Sequence, residues 1–66
     1  MRNVERKVVV DGQQYRVSAY NVCGRFIPGR YRPHIENEQN EVIYRKCIDM
    51  TYDTREEAIQ TAISQI

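Results

Sequence analysis

The C-terminal segment places the strongest constraint on how this 66-residue chain can fold. Thr54, followed three residues later by Glu57, has the pattern of a helix capping box, in which the threonine hydroxyl accepts a backbone N–H of the first helical turn. Apolar residues then recur with helical spacing and form one stripe: Ala58, Ile59, Ala62, Ile63 and Ile66. Such a stripe has to be buried, so the preceding residues must supply a second layer.

The N-terminal part of the chain predicts a β-hairpin. Val8–Val10 is a β-branched run suited to a strand, and Asp11 and Gly12 follow it directly. Asp-Gly between two β-prone runs favours a type I′ turn, in which both central residues have positive φ. We therefore predict one strand over residues 5–10 and a second from about 13 to 22.

Two further strands are predicted before the helix. The first covers about residues 30–36, and Pro33 marks it as an edge strand or a bulged one, because proline cannot donate to a β-ladder. A polar turn over residues 36–41 leads to a fourth strand over about 42–48. The expected fold is one α+β domain over residues 1–66: a three- to four-stranded antiparallel β-sheet, built as a hairpin plus a meander, with one C-terminal amphipathic helix packed on one face.

Alternation along the predicted strands indicates which side chains share a face. In the second strand the apolar residues Tyr15, Val17 and Ala19 alternate with polar ones. In the third strand Tyr31, Pro33 and Ile35 share one face, and Arg30, Arg32 and His34 share the other.

A chain this short can build only a small core. It buries only about 60% of the surface that its unfolded form exposes, so stability is expected to be marginal. A small core and an edge strand together favour pairing, and we expect a homodimer or another protein partner. No apolar run approaches the ~20 residues needed to span a bilayer, and Met1–Lys7 is too polar for a secretory signal, so we expect no membrane association and a cytoplasmic location.

No pattern of residues in the sequence predicts catalysis, a metal site or a cofactor, so we expect a protein that is not an enzyme. Cys23 or Cys47 with His34 and Glu36 could form a thiol-protease trio. Cys23, His34 and Cys47 could supply three metal ligands, but they lack the local spacing of a metal site. We favour a surface histidine and two reduced, half-buried thiols, although the cysteine spacing permits a bridge between neighbouring strands. The glycines form neither a dinucleotide-binding motif nor a P-loop.

Charge is unevenly distributed along the chain. Residues 1–35 hold seven basic and two acidic residues, a net charge of +5, whereas residues 36–66 have a net charge of −4. The stretch Arg25–His34 interleaves arginines with aromatic rings, a combination that binds phosphates and stacks on bases. The candidate nucleic-acid-binding residues are Arg25, Arg30, Tyr31 and Arg32. In the alternative interpretation Phe26 and Tyr31 belong to the core and the arginines only solvate the sheet, and the net charge of +1 favours that reading.

The order of features from Gly29 to Ile66 resembles that of small β-β-β-α domains of bacterial proteins. Gly-Arg-Tyr-Arg opens a strand, a polar turn and a second strand follow, and Tyr52–Ala58 opens the helix with a Thr-x-x-Glu-Ala pattern. Such domains include the three-stranded arm-binding domains of tyrosine-recombinase integrases, HicB-type antitoxins and a set of short uncharacterised bacterial proteins, the last being the group we favour. The integrase likeness implies DNA binding through the sheet, but the extra strand at Val8–Val10 departs from that pattern.

Two functional hypotheses follow from these observations, and a small thiol or metal enzyme is kept as a third for completeness. The first is a small non-enzymatic binding module that contacts another protein or a second copy of itself. The second is a nucleic-acid-binding domain that uses the basic sheet face and the stretch Arg25–His34.

Overall fold

A computed structural model describes residues 5–22 and 30–66 of the chain. Three strands form one antiparallel sheet in the order β1-β2-β3, and a single α-helix follows near the C-terminus. The predicted α+β class is thereby confirmed. The elements are β1 (Glu5–Val10), β2 (Gln13–Asn21), β3 (Tyr31–Asn37), a 3₁₀ helix (Lys46–Asp49) and α1 (Arg55–Ser64). Within the described ranges, no helix is both long enough and apolar enough to cross a membrane.

The hairpin between β1 and β2 has the predicted turn. Asp11 has φ 53° and Gly12 has φ 80°, and Val10 pairs with Gln13 across the two-residue loop. Positive φ at both central positions matches the right-handed twist of the flanking strands, and this match explains the strong preference for Asp-Gly at such a turn.

The core lies between the sheet and α1. Val17 of β2 is opposite Ile35 of β3, and both side chains are fully buried on the helix side of the sheet. Ile59 and Ala62 of α1 cover them and are also fully buried, as is Cys47. The helix packs mainly on β2 and β3, so the outer strand β1 lies at the margin of this core.

The start of α1 follows the predicted capping pattern. The Thr54 hydroxyl accepts a hydrogen bond from the Glu57 N–H at 3.1 Å, and Thr54 itself has extended backbone geometry. Glu56 and Glu57 in the first turn suit the positive end of the helix dipole. At the other end, the Gln65 side-chain oxygen accepts the Cys47 N–H at 3.1 Å, which ties the helix to the 3₁₀ helix.

The fourth strand predicted over residues 42–48 is wrong. A ladder to β3 begins, since Ile43 N–H donates to Ile35 C=O at 2.9 Å, but it does not continue. The next hydrogen-bonded pair in this register would join Arg45 to Pro33, and proline has no N–H to donate. The chain therefore leaves β3 and forms the 3₁₀ helix, which directs Cys47 into the core.

Residues 41–52, here called the covering segment, run along the outer edge of β3. The segment starts at a tight turn in which Asn40 has φ 65° and the Asn37 side-chain oxygen accepts two backbone N–H groups. At its other end, Tyr52 and Tyr31 exchange two backbone hydrogen bonds, of 2.8 and 3.1 Å. Pro33 thus lies in an edge strand, as predicted, and its missing N–H is on the edge rather than inside the three-stranded ladder.

Candidate functional site

The outer edge of β1 differs from that of β3 because no backbone group within residues 5–22 and 30–66 pairs with it. The direction of each N–H follows from the register. Val22 N–H donates to Arg30 C=O at 2.8 Å, so even-numbered residues of β2 bond to β3 and odd-numbered ones bond to β1. Val8 is opposite Tyr15, an odd-numbered residue, and therefore bonds inward to β2.

Alternation then assigns the open hydrogen-bonding positions of β1. Glu5, Lys7 and Val9 direct their N–H and C=O groups away from the sheet. We call these three positions the β1 edge. Val9 is the apolar residue of the three, and 69% of its surface is accessible. An edge of this kind offers a template on which another extended chain can form hydrogen bonds.

Side chains of β1 fall on two faces. Those of the β1 edge lie on the sheet face opposite α1, whereas Arg6, Val8 and Val10 lie on the helix side. Arg6 reaches α1, where its guanidinium is 2.9 Å from a carboxylate oxygen of Glu56. Val8 packs against the core, and Val10 is half-buried beside it.

The face opposite α1, here called the open face, carries a polar network across β2 and β3. Arg16 donates to Glu36 at 2.6 Å, and His34 Nε2 is 2.9 Å from the second oxygen of the same carboxylate. Arg16 also donates to the side chain of Asn40. The hydrogen bond to His34, followed by that to Arg16, lowers the pKa of Glu36. Arg16 is therefore already paired with an acid.

The sequence-predicted nucleic-acid residues do not share one surface. Arg25 lies outside the described residues. Arg30 is exposed, and Arg32 lies on the open face with its Nε shielded from solvent and without a hydrogen-bond partner. Tyr31 lies on the helix side, where the guanidinium of Arg55 is 5.1 Å from the centre of its ring. The ring that would stack on a base is thus on the face opposite Arg32.

The one thiol among the described residues gives no sign of a reactive site. Cys47 is a free, fully buried cysteine, and burial raises the pKa of its thiol, which disfavours the nucleophilic thiolate. Cys23 lies outside the described residues, so the predicted alternatives for it stay open. Across the described residues, no group of three or more histidine, cysteine, aspartate and glutamate side chains is arranged to hold a metal ion.

One open depression lies beside the turn end of the sheet. Its volume is about 310 Å³, and five polar side chains surround it: Lys7, Gln14, Arg16, Asn37 and Glu38. Small-molecule sites are typically concave and mostly apolar, with a few polar groups that fix orientation. This depression is open and lined by polar side chains, so it does not favour a small-molecule site.

Comparisons of the chain with protein-family models, with curated proteins and with solved structures found no match. The β1 edge was not singled out from the sequence. A two-residue Asp-Gly turn fixes which residues of each strand bond inward, so the outward-facing positions can be counted back from Gly12. That β1 is an outer strand, however, follows only from the strand order.

Proposed function

We propose that this protein is a non-enzymatic interaction module that binds an extended segment of protein chain along the β1 edge. The observation that carries the proposal is the set of unpaired backbone groups at Glu5, Lys7 and Val9. Strand addition to an open edge is a general mode of peptide recognition, in which main-chain hydrogen bonds supply affinity and side-chain contacts supply specificity.

The chemistry of the neighbouring side chains supports an apolar, extended ligand. Val9 is exposed on one face and Val10 is half-buried on the other, so an added strand would meet valine on both sides. β-branched side chains on both faces favour an extended partner with β-branched or aromatic residues at alternate positions. Lys7 lies between these contacts and the N-terminal end, and it would favour an acidic residue opposite it.

The alternative, nucleic-acid binding, has less support. Arg16 is held by Glu36, and Tyr31 is covered by Arg55 on the helix side. The open face does carry the exposed ring of Tyr20 opposite Arg32, but the Nε of Arg32 is shielded from solvent. A nucleic-acid groove needs several accessible cations beside such a ring. The β1 edge needs only backbone groups that are already exposed.

Proline substitution at Val9 provides a direct test. Val9→Pro removes one outward N–H and spares the hydrogen bonds to β2, whereas Val9→Thr keeps the N–H and the β-branched shape. A displayed library of random heptapeptides is selected on dilute immobilised parent protein. We expect enrichment of β-prone peptides that bind the parent and Val9→Thr but not Val9→Pro. Peptides that bind all three proteins equally, or no enrichment at all, would contradict the proposal.

A further inference from the structure

We infer that the strand received at the β1 edge is β1 of a second copy of this chain, paired antiparallel with Val9 opposite Val9. This inference rests on the proposed function and specifies its partner. Two three-stranded sheets joined in this way would form one continuous six-stranded sheet with a helix under each half.

Symmetry limits the registers that two copies can use. A two-fold axis normal to the sheet places the strands antiparallel and leaves both helices on the same side. Residues opposite each other then lie on the same face, and the central residue is opposite its own copy. Each possible register can therefore be named by the residue of β1 at its centre.

Charge disfavours several of these registers. A centre at Glu5 or Lys7 would place two like charges directly opposite each other, which is destabilising. A centre at Arg6 would pair Lys7 with Glu5 of the second copy twice, but it opposes two arginines and places the exposed Val9 opposite Asn3, outside the described residues. A centre at Val8 would place Glu5 opposite Asp11 of the second copy, again with like charge and twice in the dimer.

The register centred on Val9 brings opposite charges together. It brings Lys7 next to Asp11 of the second copy, an attractive pair that also occurs twice. The exposed Val9 side chains meet on the open face, and Val8 of each copy is opposite Val10 of the other on the helix side. The backbone groups of Val9 point outward, so the central pair can exchange two hydrogen bonds. A centre at Val10 would retain fewer opposed strand residues and lose the pair that involves Lys7.

Sedimentation equilibrium of the full chain tests the inference, over about 10 µM to about 1 mM, the range of weak association. We expect a monomer–dimer equilibrium in the parent and in Val9→Thr. Val9→Pro should remain monomeric throughout, because both central hydrogen bonds are lost. Its folded state is checked by amide shifts in the same samples.

Charge reversal at Lys7 tests the register. Lys7→Glu would face Asp11 of the second copy and should raise the dimer Kd roughly tenfold at low salt, and less at high salt. Lys46→Glu is the matched control, since it makes the same change in net charge on the exposed surface of the 3₁₀ helix and should leave Kd within about twofold. A register centred on Lys7 or Val8 predicts no difference between the two variants, so equal Kd values would overturn the Val9 register.

Two outcomes separate this inference from the proposed function. A parent protein that stays monomeric at about 1 mM, yet binds selected peptides in a manner that Val9→Pro abolishes, would refute self-pairing and leave the edge as a site for another protein. A dimer that persists in folded Val9→Pro would place the two-fold contact elsewhere and also refute this inference. In that case the peptide selection alone would decide the proposed function.

Discussion

The two edges of the sheet differ in whether their unpaired backbone groups are covered by other residues. An edge strand exposes unpaired N–H and C=O groups, which invite pairing with other chains. At the β3 edge, Pro33 removes one N–H and the covering segment bonds to Tyr31 and Ile35 on either side of it. At the β1 edge, the described residues supply no such cover, and Lys7 is the only cation among the three outward positions.

The difference indicates that exposure of the β1 edge is not a general consequence of small size. The covering segment uses a dozen residues to cover the β3 edge, whereas none of the described residues covers the β1 edge. A lysine on an edge strand discourages indiscriminate pairing but still allows a partner that places an acid opposite it. A closed edge and a selective open edge together are the arrangement expected of a module that pairs on one side only.

The sharpest way to examine the open edge is to place proline at neighbouring positions of β1. Val8→Pro should unfold most of the protein, because it removes a ladder hydrogen bond to β2 and a side chain that packs on the core. The expected loss is on the order of 3 kcal/mol or more, out of about 3–10 kcal/mol for a domain of this size. Val9→Pro should cost less than about 1 kcal/mol, because its N–H points outward.

Urea denaturation followed by circular dichroism measures both changes. Equal losses for the two variants would show that the assigned direction of the N–H groups is wrong. A stable Val8→Pro protein with an unfolded Val9→Pro protein would reverse the assignment and make the even-numbered positions the open ones.

The second comparison concerns the turns that hold each edge region. Gly12 joins β1 to the sheet, and Asn40 joins the covering segment to β3, both at positive φ. Gly12→Val should cost about 1–3 kcal/mol, because a β-branched residue is strained in this conformation. No heavy atom lies within 4 Å of a Cβ built at Gly12, so the loss comes from the backbone and not from a clash.

Asn40→Gly is the matched change at the other turn. Glycine accepts positive φ freely, so the change removes the hydrogen bond from Arg16 and adds conformational freedom to the unfolded chain. Stability should fall by less than about 1 kcal/mol. The same urea titrations compare the two variants. A Gly12→Val protein as stable as Asn40→Gly would mean that the hairpin turn contributes little to holding β1 in place.

The sequence predicted the elements whose signals are local. The Asp11-Gly12 turn and the Thr54 cap each depend on a few adjacent residues, and both are confirmed. The error at residues 42–48 arose because alternation alone favours a strand, whereas the ladder fails at Pro33, a residue distant in sequence. Pro33 was recognised as an edge residue, but its effect on the strand opposite it depends on a register that no local pattern provides.

The candidate site was harder to predict for the same reason. The aromatic and arginine residues around Tyr31 are adjacent in sequence, yet strand alternation places Tyr31 and Arg32 on opposite faces. The β1 edge has no distinctive composition, because backbone groups bind there and every residue has them. It becomes recognisable only when the strand order shows that nothing described lies beside β1.

The smallest expected effect concerns the carboxylates that tie each edge strand to the rest of the fold. Hydrogen bonds from His34 and Arg16 lower the pKa of Glu36 on β3, and bonds from Gln60 and Arg6 lower that of Glu56, which contacts β1. Each carboxylate stays ionised in the folded protein at a pH where it would be protonated in the unfolded chain. The resulting stability is present above the ordinary pKa of 4.5 and is lost as the pH falls through the lowered values.

Urea midpoints measured from pH 7 to pH 3 should therefore fall most steeply below about pH 4.5 in the parent. Glu36→Gln and Glu56→Gln should each lower the midpoint at pH 7 and flatten the decline, because the amide cannot titrate. Glu38→Gln is the control, as its exposed side chain lies in the turn after β3. If Glu56→Gln flattens the decline while amide exchange in β1 becomes faster, the Arg6 contact holds β1 against the helix. A decline that stays as steep as the parent's in both variants would assign acid sensitivity to other carboxyls and leave β1 held by its turn and its ladder alone.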